Sequence, residues 1–204
     1  MPIDPHLSSN VYLACFGWPA SSLPDRVAGR EGRAARLRPS RKPALPCRLK
    51  RAAGRGCVAA ALSRPWEESW PPPPLPVHDG GRLYLALLPR LLEAEQPRWR
   101  EQPLLLPAHT RRDCALAWRV AQAGGRLALQ GPWASSLAEA LYARLGLVCP
   151  LSDGGGPSPL PSWPGGLPPA VVEAALCLGE RPSLRQLERD FFTAGYCLEP
   201  KTRP

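Results

Sequence analysis

The stretch from Arg82 to Asp153 decides the predicted fold, because short apolar runs alternate there with helical patterns. The runs are RLYLALL (82–88), LLL (104–106), RLALQ (126–130) and LVC (147–149). Glycine or proline bounds each run, which is typical of strands that end in turns. Strands that alternate with helices through short connections pair in parallel, so the stretch predicts an α/β fold.

Two amphipathic helices separate the last three runs. From Thr110 to Ala123 apolar residues recur at spacings of three and four, and Thr110 fits an N-cap with Asp113 as the acid of a capping box. A similar stripe predicts a helix from Ser135 to Leu145, capped by Ser135 or Ser136. The whole pattern favours a small Rossmann-like, mostly parallel sheet of about four strands with flanking helices.

Polar residues gather where these strands end, which is where parallel sheets bind ligands. The candidate ligand-binding residues are His109, Thr110, Arg111, Gly131, Ser135, Ser136 and Asp153. Helix N termini and an arginine at that edge favour an anionic group. The hydroxyl residues serve equally well as helix caps, so this site is a hypothesis with a purely structural alternative.

Catalysis and cofactor binding receive less support from the same loops. His109 and Asp153 would form an acid/base pair if their strands lie side by side, but nothing in the spacing requires it. The turn Gly131-Pro132-Trp133 lacks the glycine spacing of a dinucleotide fingerprint, and no phosphate-binding loop is present in the sequence. The sequence therefore leaves the catalytic residues and the existence of a reaction open, and it predicts no cofactor.

The C-terminal part predicts a loop and two helices. A loop rich in proline and glycine covers 154–168, and a helical hairpin packed on the core covers 169–198, with Gly179 ending its first helix and Ser183 capping its second. A DNA-binding helix-turn-helix is the alternative. The second helix balances two arginines with two acids, which favours a packing hairpin.

The N-terminal part differs in charge and composition. Residues 26–64 carry 12 Lys or Arg and a single acid, Glu31. Few aromatic residues accompany them, so we expect a disordered basic arm over 1–64, followed by a proline-rich linker over 65–79 and the α/β core over 80–153. Such an arm would bind nucleic-acid phosphates or an anionic membrane surface through charge alone.

Several classes are disfavoured by composition. The seven cysteines are widely spaced without a Cys-x-x-Cys pair, so no metal site is predicted and reduced, buried thiols are the simplest interpretation. No apolar run reaches the ~18 residues of a membrane span. A soluble, cytoplasmic protein is the expectation.

Three functional hypotheses follow. The first is an α/β domain that binds a small phosphate- or carboxylate-bearing anion at the strand carboxyl ends. The second is a nucleic-acid-associated protein that uses residues 26–64. The third is a non-enzymatic accessory protein that binds a protein partner through Trp133, Trp163 or the Phe191-Phe192 pair. The clustering of polar residues at the strand ends favours the first.

Overall fold

The computed structural model describes residues 11–30, 34–40, 46–67, 69–153 and 160–198. Within them the protein is a mixed α/β structure with a mostly parallel sheet and six α-helices. It divides into two compact units, Met1–Ala86 with Pro164–Pro204, and Leu87–Trp163. The sequence predicts one core, so the division into two units is a difference from that expectation.

The elements follow one another along the chain with the bounds β1 (Val11–Phe16), β2 (Arg26–Ala28), β3 (Ala34–Ser40), α1 (Pro46–Gly54), β4 (Cys57–Leu62), β5 (Val77–His78), α2 (Gly81–Glu95), β6 (Leu104–Pro107), α3 (Arg111–Gln122), β7 (Leu127–Gln130), α4 (Ala134–Leu145), α5 (Pro169–Cys177) and α6 (Leu184–Thr193). A short 3₁₀ helix, Ala20–Ser22, lies between β1 and β2.

The first unit is built on a five-stranded sheet of order β2-β3-β1-β4-β5. Strands β3, β1, β4 and β5 pair in parallel, and β2 pairs antiparallel with β3 at one edge. The register places Leu13 beside Leu37 of β3 and Ala59 of β4. Alternate residues of β1 therefore point to opposite faces of the sheet, and each face has its own core.

A helix covers each face of this sheet. One face packs Leu13 and Cys15 against apolar residues of α5, whose eight residues from Ala170 to Cys177 are all buried. The other face packs Ala14 and Phe16 with Leu49 of α1, which is fully buried. Burial on both faces is what parallel strands require, and it explains the alanine-rich sequence of β4.

The structure corrects the predicted disordered arm over 1–64. Within the described part of that segment the chain forms β1, β2, β3, α1 and β4. The prediction of disorder relied on the number of basic residues and did not consider their spacing. In β3, exposed Arg36 and Arg38 alternate with buried Ala35 and Leu37, which is the pattern of a strand. The rest of the predicted arm, at 1–10, 31–33 and 41–45, lies outside the described residues.

The second unit confirms four elements predicted from sequence. Strands β6 and β7 pair in parallel, with Leu104 beside Leu127 and Leu106 beside Leu129. Helices α3 and α4 follow these strands and pack on them. Thr110 caps α3 in a full capping box, because its hydroxyl accepts from the Asp113 N–H and the Asp113 carboxylate accepts from the Thr110 N–H.

Two predicted strands are corrected. Residues 82–88 lie in α2 and do not form a strand. The prediction was wrong because a short continuous apolar run is compatible with a buried helix as well as with a buried strand. Pro89 lies inside that helix instead of ending a strand. Residues 147–149 form no strand, and the chain next to β7 makes only an isolated parallel bridge between Leu151 and Leu129.

The two C-terminal helices are confirmed as α5 and α6. Leu178 ends α5 in the left-handed conformation with Gly179 after it, and the Ser183 hydroxyl accepts from the Gln186 N–H at the start of α6. Helix α5 contacts α6 and packs on the sheet of the first unit, which corrects the prediction that the hairpin packs on the 80–153 core. Part of the predicted loop before them, 154–159, lies outside the described residues.

Candidate anion-binding pocket

Helix α1 presents three arginines beside its buried stripe. Leu49 and Ala52 pack toward the sheet, and Arg48, Arg51 and Arg55 follow one another at spacings of three and four. Arg55 lies just beyond the last helical residue, but its N–H still donates to the carbonyl of Arg51 at 3.1 Å, so the helical course continues to it. These spacings place the three side chains on one side of the helix.

A cavity of about 340 Å³ lies between this row and the sheet. Its lining consists of residues from β1, β3, α1 and the start of β4, namely Ala14, Phe16, Arg38, Pro39, Arg48, Arg51, Ala52, Arg55 and Cys57. Ala14, Phe16 and Cys57 are buried, so the floor is apolar. We call this cavity, with its nine lining residues, the arginine pocket.

Contacts on both sides hold Arg38 in place. Its guanidinium carbon lies 4.2 Å from the centroid of the Tyr12 ring, a cation–π geometry. Its Nη1 donates to the carbonyl oxygen of Arg55 at 3.2 Å. Because two contacts already order the Arg38 side chain, this side chain loses less conformational entropy when a ligand binds.

The arginine pocket is strongly positive. Among the described residues that line it, every charged side chain is an arginine. Within the described part of the chain, none of these four guanidinium groups lies within 4.0 Å of a carboxylate. An incoming anion would therefore meet four positive charges that no described carboxylate neutralises.

Cys57 contributes an apolar surface to the pocket. Burial raises the pKa of its thiol, and the nearby guanidinium groups of Arg38 and Arg55 oppose this increase. Burial is the larger effect, so the thiol stays protonated at neutral pH. A protonated thiol is a poor nucleophile, which favours a binding role for the pocket.

The site predicted from sequence lies in the second unit, and the structure brings part of it together. The His109 ring lies against Gly131, where a Cβ would be 3.0 Å from its Cε1 and Nε2. The bridge between Leu151 and Leu129 leads Asp153 toward the same end of β7. All seven candidate residues are exposed, and no contact between His109 and Asp153 is observed among the described residues.

The hydroxyl residues of that site differ in their roles. Thr110 is committed to the capping box of α3, and Arg111 is an exposed residue of the first turn. Ser135 and Ser136 lie in the first turn of α4, but the N-cap is Trp133 and makes no side-chain cap bond. The prediction that either serine caps this helix is therefore corrected.

A buried histidine–carboxylate pair escaped the sequence analysis. In the first unit, Nδ1 of His78 lies 3.0 Å from Oε1 of Glu173, and the other oxygen, Oε2, accepts from the Leu83 N–H of α2 at 3.0 Å. Both side chains are buried, and His78 Nε2 has no hydrogen-bond partner among the described residues. A single glutamate inside the apolar helix α5 was the signal that would have indicated it.

This pair has a structural role in the geometry observed. Glu173 joins β5, α5 and the start of α2 through one carboxylate, and it caps a backbone N–H that the helix itself leaves unpaired. Nε2 of His78 is sealed from solvent, so it has no access to a dissolved substrate. The arginine pocket remains the better functional candidate.

Within the described residues, no three His, Cys, Asp or Glu side chains form a group that could hold a metal ion. The helices described in the structure are too short or too polar to span a membrane. No protein-family model, curated protein or solved structure matches this chain. The functional argument therefore rests on the geometry of the pocket.

Proposed function

We propose that this protein binds a small anionic molecule, bearing phosphate or carboxylate, in the arginine pocket. The observation that carries the proposal is the convergence of Arg38, Arg48, Arg51 and Arg55 on one cavity with an apolar floor. Guanidinium groups form bidentate, charge-assisted hydrogen bonds with phosphate and carboxylate oxygens. The cavity volume of about 340 Å³ lies in the range of small-molecule sites, roughly 300–1,000 Å³.

The ligand class is the one expected from sequence, but the proposed position differs. The sequence favours the strand ends at His109 to Asp153, whereas the arginine pocket lies beside α1 over β1 and β3. The sequence predicts a Rossmann-like sheet over 80–153, and we propose that architecture instead for the sheet of the first unit. The parallel strands β3-β1-β4-β5, with α1 on one face and α5 on the other, support this assignment.

Arginines on a helix also have ordinary uses. Arg51 lies in the last turn of α1, where a positive charge complements the helix dipole. That use does not involve Arg38, which belongs to β3 and is held over Tyr12 beside the same cavity. Contributions from a strand and a helix to one cavity favour ligand binding over helix stabilisation alone.

Titration calorimetry of the full chain tests the proposal. Inorganic phosphate, sulfate and citrate are titrated at low ionic strength into the parent protein and into the triple variant Arg48→Gln, Arg51→Gln, Arg55→Gln. Each lost charge-assisted hydrogen bond costs about 1.5–3 kcal/mol, so the variant should lose at least about tenfold in affinity. Binding should also weaken as salt is added.

A matched control separates site binding from general charge. The triple variant Arg112→Gln, Arg126→Gln, Arg144→Gln removes the same number of charges from exposed positions of the second unit. It should bind each anion as the parent does. Equal losses in the two triple variants, or no binding to the parent protein, would contradict the proposal.

A further inference from the structure

The arginine pocket is elongated along the strands of the first unit. At one end lie Phe16 and Pro39, near the carboxyl ends of β1 and β3, and at the other lies Cys57, the first residue of β4. Cys57 pairs with Tyr12, four residues before Phe16. At the rise of a β-strand these two levels are about 13 Å apart.

The arginine row runs in the same direction. Helix α1 connects the end of β3 to the start of β4, and both strands run parallel to β1. The helix therefore runs antiparallel to the strands. From Arg48 to Arg55 the helical rise is about 10.5 Å. Arg38 joins the Arg55 end, where it donates to the Arg55 carbonyl oxygen. The positive charges are thus spread along the groove instead of surrounding one point.

A single phosphate does not match this arrangement. One phosphate group accepts bidentate hydrogen bonds from about two guanidinium groups, and the remaining arginines would keep uncompensated charge. Two linked anionic groups would engage both ends of the row. The buried surface of Ala14 and Phe16 between them would contact an apolar part of the same molecule.

We infer that the ligand of the arginine pocket is a small molecule bearing two phosphate groups, held by Arg48 at one end of the α1 row and by Arg55 with Arg38 at the other. This inference rests on the proposed function, because it names the class of anion that the same pocket takes. It concerns a small bis-phosphate with an apolar segment between its phosphates and not a nucleic-acid chain, since the cavity has the size of a small-molecule site.

The test compares inorganic phosphate with hexanediol bisphosphate, whose two phosphates are separated by a six-carbon chain, on the full chain by calorimetry at one pH and ionic strength. The bisphosphate should bind at least about tenfold more tightly, since its second phosphate gains charge-assisted hydrogen bonds at the other end of the row. Arg48→Gln and Arg55→Gln, made singly, should each remove most of that preference. Arg144→Gln, an exposed arginine of the second unit, should leave the preference intact.

The outcomes distinguish a failure of the two-phosphate inference from a failure of the proposed anion binding. If phosphate and hexanediol bisphosphate bind equally well and the triple variant binds neither, the two-phosphate inference is overturned and the anion site stands. If Arg144→Gln reduces the preference as much as Arg48→Gln does, the preference reflects total charge and the inference is overturned. If neither anion binds the parent protein, the proposed function itself fails. Tighter binding of a ten-nucleotide single-stranded DNA than of hexanediol bisphosphate would overturn the small-molecule assignment.

Discussion

The two units use their charged and polar residues in different ways. In the second unit, Thr110 and Asp113 satisfy each other in a capping box, and the other predicted site residues are exposed. In the first unit, four arginines from a strand and a helix line one cavity, and no described carboxylate pairs with them. Polar residues at strand ends are therefore a weaker indication of a ligand site than positive charges that converge with no described carboxylate beside them.

The units also differ in how their helices are anchored. Helix α3 is capped locally by Thr110, a residue next to it in sequence. The first turn of α2 has a local acceptor as well, Asp79 for the Gly81 N–H, and in addition a distant one, Glu173 of α5, for the Leu83 N–H. A local cap stabilises one helix end. A buried carboxylate shared by three elements stabilises the packing of all three, so we expect the two kinds of cap to differ in energetic importance.

The largest expected effect comes from Glu173. Glu173→Ala removes the partner of His78 and leaves the Leu83 N–H without its acceptor, so we expect a loss of about 3–5 kcal/mol in the free energy of unfolding. Glu173→Gln keeps the shape and one acceptor oxygen, and should lose less. Urea denaturation of the full chain measures both.

The matched control for Glu173 is Glu180, an exposed glutamate that pairs with Arg30. Glu180→Ala should change the free energy of unfolding by less than about 1 kcal/mol, since exposed ion pairs contribute little. Equal effects of Glu173→Ala and Glu180→Ala would show that the buried carboxylate does not hold the three elements together.

Alkaline pH should destabilise the first unit through two buried thiols. Burial raises the pKa of Cys15 and of Cys177 to about 12, from a usual value of 9.0. The folded state therefore keeps protons that the unfolded chain releases above pH 9, and stability falls as pH rises from 9 toward 12. At pH 10 the two thiols together should cost about 3 kcal/mol relative to pH 8.

Chemical denaturation at pH 8 and pH 10 measures this loss. The double variant Cys15→Ala, Cys177→Ala should show a smaller difference between the two pH values, whatever its stability at pH 8. The variant Cys47→Ala, at an exposed cysteine, should keep the full difference. An unchanged difference in the double variant would contradict burial as the origin of the alkaline sensitivity.

The elements that the sequence predicts correctly carry local signals. The capping box at Thr110, the glycine that ends α4 and the serine cap of α6 each lie within a few residues of the structure they determine. The period of apolar residues in α3 and α4 adds a second local signal. Strands β6 and β7 are framed by proline or glycine, which fixes their positions as well.

The elements that the sequence missed depend on tertiary context. The apolar run at 82–88 carries no period that separates helix from strand, and the carboxylate of Glu173 that accepts from the Leu83 N–H in the resulting helix comes from a distant part of the chain. The arginines of β3 raise the net charge of the segment, which favoured disorder in the sequence analysis. In the structure they alternate with buried residues along a strand. The arginine pocket requires β3 and α1 to lie side by side, which no local pattern reveals.

A smaller effect is expected at the cap of α3. Thr110→Ala removes the hydroxyl that accepts from the Asp113 N–H, so the free energy of unfolding should fall by about 1 kcal/mol. Thr110→Ser keeps an acceptor oxygen and should retain most of the stability. Urea denaturation of the two variants gives the difference, and equal losses for Ala and Ser would contradict a capping role.

The smallest effect is expected at the two serines of α4, and it tests where the ligand binds. Ser135 and Ser136 are exposed and make no cap bond, so Ser135→Ala and Ser136→Ala should each change stability by less than about 0.5 kcal/mol. Neither should alter phosphate affinity in calorimetry, since the proposed pocket lies in the first unit. A loss of phosphate binding in either variant, with the Arg48, Arg51, Arg55 triple variant unaffected, would move the anion site to the N terminus of α4 in the second unit.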